Sequence, residues 1–220
     1  MKRVLITGGS RGIGKAISEL FRERGWEIIA PTRQEMDLSN SQSITDYCKS
    51  MDGPLDAVVN NAGINNIAML DSLTDDLFGE MLQVNLKAPV QIARCLQHKL
   101  IENKIGHIVN VSSIWGFVSK EGRMGYSAAK SGIIGVTRTM AIEFGKHNVL
   151  VNAVAPGFVN TELTQKNNTP EQISQIEANL PLGRMADPKE IAKFVYFLCS
   201  DENTFITGQT ILIDGGYTCQ

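Results

Sequence analysis

Tyr126 and Lys130 stand four residues apart in Tyr126-Ser127-Ala128-Ala129-Lys130. On a helix that spacing sets both side chains on one face, phenol beside ammonium. A nearby ammonium favours phenolate and lowers the tyrosine pKa. A tyrosine tuned in this way can give or take a proton near neutral pH. The pair alone also fits an exposed surface contact, so its company matters. Ser112 and Ser113 follow an apolar run from Gly106 to Val111, and Asn60-Asn61-Ala62-Gly63 closes an earlier run from Asp56. Both runs read as strands, and open α/β sheets bind ligands at the carboxyl ends of their strands. Asn85 lies inside an amphipathic helical stretch, where asparagine is a poor former. It fits either a functional group or a buried side-chain hydrogen bond that bends the helix.

A second cluster points to a phosphate-bearing ligand. Thr7-Gly8-Gly9-Ser10-Arg11-Gly12-Ile13-Gly14 joins the first apolar run to the first helical pattern. Glycine lets a backbone turn tightly and approach a ligand closely. The free N–H groups of a helix start favour an anion such as pyrophosphate. The order Gly8-x3-Gly12-x-Gly14 differs from the dinucleotide fingerprint G-x-G-x-x-G.

The elements that must position these groups alternate along the chain. Strands are expected at 3–7, 26–30, 56–60, 106–111, 149–154 and 210–213. Between them, helical periodicity follows Ile13, ending at Gly25, and continues from a cap at Ser39 or Asn40 through Met51. Further helices are expected over 75–101, 126–144 and 188–200, the last with Pro188 in its first turn. This alternation predicts an α/β fold: a doubly wound parallel sheet of the Rossmann type, one domain over 1–220. The least regular stretch is 156–181, a candidate lid or binding loop.

Composition narrows the class. The 220 residues are 43% hydrophobic and carry a net charge of −2. That balance is not that of a general nucleic-acid binder, which carries a basic surplus. No eighteen-residue apolar run is present to cross a membrane. The start Met1-Lys2-Arg3 lacks the apolar stretch of a signal peptide, so a cytoplasmic protein is expected. Cys48, Cys95, Cys199 and Cys219 match neither a zinc site nor a redox pair and read as reduced thiols. With histidines only at 98, 107 and 147, no metal centre is expected.

Taken in order, these motifs resemble the short-chain dehydrogenase/reductase family, from the first strand to Asp214-Gly215-Gly216. The resemblance implies hydride transfer between a nicotinamide coenzyme and a carbonyl or alcohol carbon of a small molecule. It implies that Gly8, Ser10, Arg11, Gly12, Ile13 and Gly14 hold the pyrophosphate region. Asp37 and Leu38 would flank the adenine, and Asn60, Ala62 and Gly63 would line the cofactor beside the sheet. Pro156, Gly157, Val159 and Thr161 match the segment that contacts the nicotinamide. Asn85, Ser113, Tyr126 and Lys130 match the catalytic tetrad. Tyr126 would protonate the developing alkoxide and Ser113 would bind the carbonyl oxygen. Lys130 would depress the tyrosine pKa and hold the ribose, and Asn85 would position a water behind it. One departure is large: only Pro31 to Met36 stand where the family has a helix and a further strand.

The end of the second strand reads Ala30-Pro31-Thr32-Arg33, with no acid for a ribose 2′-hydroxyl. Arg33 can pair with a 2′-phosphate, and Arg11 can add a contact. NADP(H) is therefore favoured, with NAD(H) as the alternative if Glu35 turns into the ribose site. Ile114, Trp115, Phe117, Met124 and Phe158 are candidate substrate contacts, an apolar set. The tail from Pro181-Leu182-Gly183-Arg184 is similar to that of 3-oxoacyl-carrier-protein reductases. A 3-oxoacyl thioester is thus the first substrate expectation, with sugar, steroid and secondary-metabolite ketones behind it. Lys99, Lys104, Lys146 and His147 offer a modest basic rim for an acyl carrier protein. The family implies a homotetramer, then a dimer, paired through helices 75–101 and 126–144 and the last strand. Two rivals are weaker. A nucleotide-sugar epimerase needs a larger substrate domain, and a non-catalytic dinucleotide sensor commonly lacks the tyrosine or lysine.

Overall fold

The computed structural model describes residues 1–102 and 105–220. Six parallel strands form one sheet in the order β2-β1-β3-β4-β5-β6. They are β1 (Arg3–Ile6), β2 (Glu27–Ile29), β3 (Ala57–Asn60), β4 (Gly106–Val111), β5 (Val149–Pro156) and β6 (Thr210–Ile213). Side chains of a strand alternate between faces. Val4 and Ile6 therefore join one core with Val59 and Val109, while Leu5, Val58 and Ile108 join the other. The first core is covered by α1 (Gly12–Glu23) and α8 (Pro188–Cys199), through Ile17, Phe21, Ile191, Val195 and Leu198. The second is covered by α2 (Ser41–Ser50), α4 (Ala88–Ile101) and α5 (Met124–Gly145). Burial on both faces explains why the strands read as continuous apolar runs. The strand order reverses between β1 and β3, which opens a crevice at their carboxyl ends.

Several boundaries have local causes. The Asn40 side chain caps α2 by accepting from the N–H groups of Gln42 and Ser43. Gly25 takes φ +79 just past α1, and Asp187 with Glu190 forms a capping box on α8. The expected helix 75–101 is not regular. It comprises α3 (Asp75–Leu82), a π-turn (Gln83–Lys87) and α4. Pro89 has no N–H to return to the Asn85 carbonyl four residues back, and the helix widens there. The stretch 156–181 is not wholly irregular either. It holds α6 (Glu162–Asn167) and α7 (Pro170–Ala178), the second capped by Thr169 and Gln172 with Pro170 in its first turn. β2 is an edge strand, since the chain turns at Thr32–Glu35 and enters α2 without a further strand.

Candidate active site

A cleft of about 550 Å³ opens at the crevice. Gly8, Ser10, Arg11, Gly12, Ile13 and Gly14 line it, with Arg33, Asp37, Leu38, Ala62, Gly63 and Thr161. Gly8 and Gly12 have φ of +67 and +53, conformations that disfavour any side chain. A Cβ on Gly14 would collide with the Gly8 carbonyl oxygen and the Asn61 amide. The loop is thus folded onto the helix start as tightly as backbone allows. Arg11 precedes α1 with extended backbone and no side-chain cap, and no acid stands in the first turn. The N–H groups there are left for an anion, so these residues fit a dinucleotide pyrophosphate.

The loop is clamped to β3. Thr7 Oγ1 accepts the N–H groups of Asn61 and Ala62, both at 3.0 Å. Asn61 Nδ2 donates to the carbonyls of Thr7 at 3.0 Å and Gly8 at 3.1 Å. Thr7 and Asn61 are cleft residues that the sequence reading did not single out, although Asn61 sits within its own motif. The Asn60 side chain, in contrast, points into the sheet and donates to Asn110 Oδ1 at 2.8 Å. Asn110 donates in turn to Thr137 on α5 at 2.9 Å. The Asn60 side chain therefore tethers strands and is not part of the cleft lining.

At the adenosine end, Arg33 lies exposed along the cleft, its Nε 3.6 Å from Asp37 Oδ1. Asp37 accepts from Ser39 N–H at 2.9 Å and Oγ at 2.7 Å, which holds its carboxyl below the usual range. Glu35 does not line the cleft. Its carboxylate accepts from Thr32 N–H at 2.8 Å and Thr32 Oγ1 at 2.9 Å.

The four candidate catalytic residues come from three elements. Ser113 opens the turn Ile114–Gly116 after β4, and its Oγ caps it by accepting the Trp115 N–H at 3.2 Å. That turn is pinned to α5: Ser112 Oγ donates to the Lys130 carbonyl at 2.9 Å and Ser131 Oγ to the Gly116 carbonyl at 3.0 Å. Tyr126 and Lys130 share one face of α5, with Lys130 Nζ 5.5 Å from the centre of the Tyr126 ring. Lys130 is buried and its ammonium donates to the Val111 carbonyl at 2.7 Å. Burial lowers its pKa to about 8. Tyr126 is shifted upward, contrary to the expectation from Lys130. Desolvation outweighs the Ser113 hydroxyl and the Arg123 charge, which pull it down.

Asn85 sits in the π-turn, buried, and donates to the Ile64 and Met81 carbonyls, both at 2.9 Å. Its Oδ1 accepts the Ile64 N–H at 3.1 Å. Asn85 therefore makes buried side-chain hydrogen bonds within the widened turn, and it also lies beside Gly63 of the cleft. A Cβ on Gly63 would lie 2.6 Å from Asn85 Oδ1 and 3.6 Å from Lys130 Nζ. Only glycine lets the two side chains flank that point.

Pro156 ends β5, and Gly157 packs on Asp214, whose Cα would lie 2.8 Å from a Cβ there. Thr161 caps α6 and touches the space beside Gly12. Val159 is buried and bridges to Ala186, so its side chain is not in the cleft. Trp115, Phe158 and Tyr217 meet edge to face beyond Ser113, with centroids 5.3 to 6.5 Å apart. Tyr217 was not among the sequence candidates. Ile114, which was, is 1% exposed and belongs to the interior; Phe117 and Met124 are exposed. The expected basic rim is at the wrong end. Lys99 donates to the Gly53 carbonyl, and Lys146 and His147 precede β5, all at the amino edge of the sheet, opposite the site. Lys104 lies outside the described residues.

Residues 34–218 match the family model described as Enoyl-(Acyl carrier protein) reductase. The chain is 36% identical to the 3-oxoacyl-[acyl-carrier-protein] reductase FabG of Vibrio cholerae, spanning 98% of this chain and 96% of that protein. It is also 36% identical to the acetoacetyl-CoA reductase of Rhizobium meliloti, over 98% of each. The chain belongs to the short-chain dehydrogenase/reductase family. Among solved members, 4-hydroxyisoleucine dehydrogenase complexed with NADH superposes with a TM-score of 0.93 at 35% identity, covering 100% of both chains. The shortened adenosine side is therefore compatible with a complete family fold, and members of this family are oxidoreductases using NAD(P)(H).

Proposed function

We propose that the chain interconverts a carbonyl and a secondary alcohol, with NADP(H) before NAD(H), and that the carbonyl is a 3-oxoacyl thioester. The observation that carries the reading is that Lys130, which shares a helix face with Tyr126, has its ammonium beside Gly63, a residue lining the glycine-cradled cleft. Gly8 to Gly14 would hold the pyrophosphate, and Lys130 the ribose next to the nicotinamide. The coenzyme supplies the hydride in reduction and accepts it in oxidation. In reduction Tyr126 Oη gives its proton to the carbonyl oxygen as charge grows there. Its raised pKa keeps that proton in place beforehand. Ser113 Oγ donates a hydrogen bond to the same oxygen. Lys130 keeps a proton within reach of Tyr126, and Asn85 would position a water that refills it.

Arg33 and Arg11 both line the cleft, while Glu35 is engaged by Thr32. That supports a 2′-phosphate. The second reading, NAD(H), is favoured by the NADH complex of the 4-hydroxyisoleucine dehydrogenase. The ratio of kcat/KM for NADPH and NADH, in the parent and in Arg33→Ala, separates them. An NADH preference in the parent refutes the NADP(H) reading. The relatives' names also support docking of an acyl carrier protein. A homotetramer is supported by apolar side chains left exposed on α5 and around β6, Ile142, Phe205 and Leu212; light scattering tests it.

The deciding experiment is NADPH consumption with S-acetoacetyl-N-acetylcysteamine. Tyr126→Phe should be slower by about 10²- to 10⁴-fold, with NADPH binding retained. Equal rates in parent and variant would refute the mechanism.

A further inference from the structure

Asp37, Leu38 and Ser39 form one wall of the cleft. β2 is the edge strand, so no strand lies beyond it to back this wall. The wall's own hydrogen bonds are local. Asp37 N–H donates to Ser43 Oγ at 3.0 Å, and Asn40 N–H to the Asp37 carbonyl at 3.0 Å. Two glutamine side chains tie the segment to the α3–α4 unit. Gln91 is buried, and its Nε2 donates to the Ser41 carbonyl and to Thr45 Oγ1, which fastens α2 to α4. Gln83 reaches the wall itself. Its Nε2 donates to the Leu38 carbonyl at 3.3 Å and to Ser41 Oγ at 3.4 Å. A peptide unit is planar, so holding that carbonyl also orients the Ser39 N–H on its far side. That N–H donates to the Asp37 carboxylate at 2.9 Å. Gln83 is half-buried and opens the π-turn. Val84, which follows, lines the cleft, and Asn85 lies beside Gly63. Three successive residues of one turn thus serve the wall, the lining and the Lys130 side of the cleft.

We infer that Gln83 is a positioning residue for the adenosine half of the coenzyme, acting through the Leu38–Ser39 peptide whose carbonyl it holds and whose N–H holds the Asp37 carboxylate. The inference rests on the coenzyme reading above and is independent of the substrate named there. Adenosine is common to NADPH and NADH, so the role holds for either. Loss of one neutral hydrogen bond corresponds to about 2- to 12-fold in affinity.

The test compares the parent with Gln83→Met, which keeps the length and helix propensity of the side chain and removes its donors. Calorimetry gives the Kd of three probes: NADPH, ADP-ribose, which lacks the nicotinamide, and reduced nicotinamide mononucleotide, which lacks the adenosine. NADPH and ADP-ribose should bind threefold to twelvefold more weakly to the variant, and the mononucleotide should change by less than twofold. Melting temperature reports that the variant folds. An ADP-ribose Kd that moves less than threefold overturns the inference. A mononucleotide loss of twofold or more overturns it too, since the whole turn is then disturbed. Where the mononucleotide binds too weakly to measure, amide exchange at Ser39 in the free protein decides. Exchange at least threefold faster in the variant supports the inference, and a smaller change overturns it. The same exchange measurement on Gln83→Glu, which has the same shape and donates nothing, serves if Gln83→Met does not fold. A parent that binds neither NADPH nor ADP-ribose refutes the coenzyme reading, and the inference with it. A parent that binds NADPH but reduces no carbonyl refutes the thioester reading alone, and the affinities still decide the role of Gln83.

Discussion

Gly14 shows how much of the cleft is decided by a single missing methyl. Its Cβ would strike the Gly8 carbonyl and the Asn61 amide, neither of which can move without opening the clamp on β3. Gly14→Ala should cost about 1 to 3 kcal/mol of stability, as overpacking does, and should weaken NADPH binding by more than tenfold. Urea unfolding and fluorescence titration measure the two. A different residue limits the protein at low pH. His107 is buried in β4 with neither ring nitrogen in a well-formed hydrogen bond, and burial lowers its pKa to about 4. Unfolding releases it to an ordinary value near 6.5, so the unfolded chain takes up the proton first. Stability is full above pH 6.5 and falls as the pH drops from there through 4, by about 2 to 3 kcal/mol at pH 4.5. His107→Phe should flatten that part of the pH profile in urea midpoints. The pairing of Tyr126 with Lys130 was legible because the two are close in sequence. The sense of the tyrosine shift was not, since it depends on how deeply α5 buries the phenol.

Among the elements, all six strands and their parallel course could be read from apolar runs and glycine punctuation. The interruption between α3 and α4 could also have been read, because Pro89 cannot complete a regular turn after Asn85. Hydrophobic periodicity runs on through the π-turn and hides it. In 156–181 the start Thr169-Pro170-Glu171-Gln172 signals α7, yet no residue of that helix is buried, so its apolar pattern is faint. The π-turn makes a prediction of its own. Asn85 satisfies both backbone groups of Ile64 and the Met81 carbonyl. Asn85→Leu leaves the buried Met81 carbonyl and the half-buried Ile64 groups without this partner and should lower stability by about 1 to 2 kcal/mol, read as a drop in the urea midpoint. It should also loosen the 61–70 segment, visible as faster amide exchange at Ile64.

For the molecule as a whole, the sheet has two ends with different duties, and this too follows from connectivity. A helix that follows a strand runs back along it, so the link into the next strand lies at the amino edge. Lys99 lies in the last turn of α4 and Lys146 and His147 on such a link, which is why they cannot rim the site. The aromatic group beyond Ser113 was less accessible, since Trp115, Phe158 and Tyr217 come from segments far apart in the chain. The clamp of Thr7 and Asn61 on the glycine loop carries a last consequence. It joins the loop to the β1–β3 seam, where residues some fifty apart in the chain meet, so an unfolded chain keeps no remnant of the site. A ligand seated there binds the native state alone and raises its free energy of unfolding by mass action, about 1.4 kcal/mol for each tenfold excess over Kd. Melting temperatures taken across a concentration series of NADPH and NADH should therefore rank the two coenzymes before any substrate is known, with the steeper rise marking the preferred one.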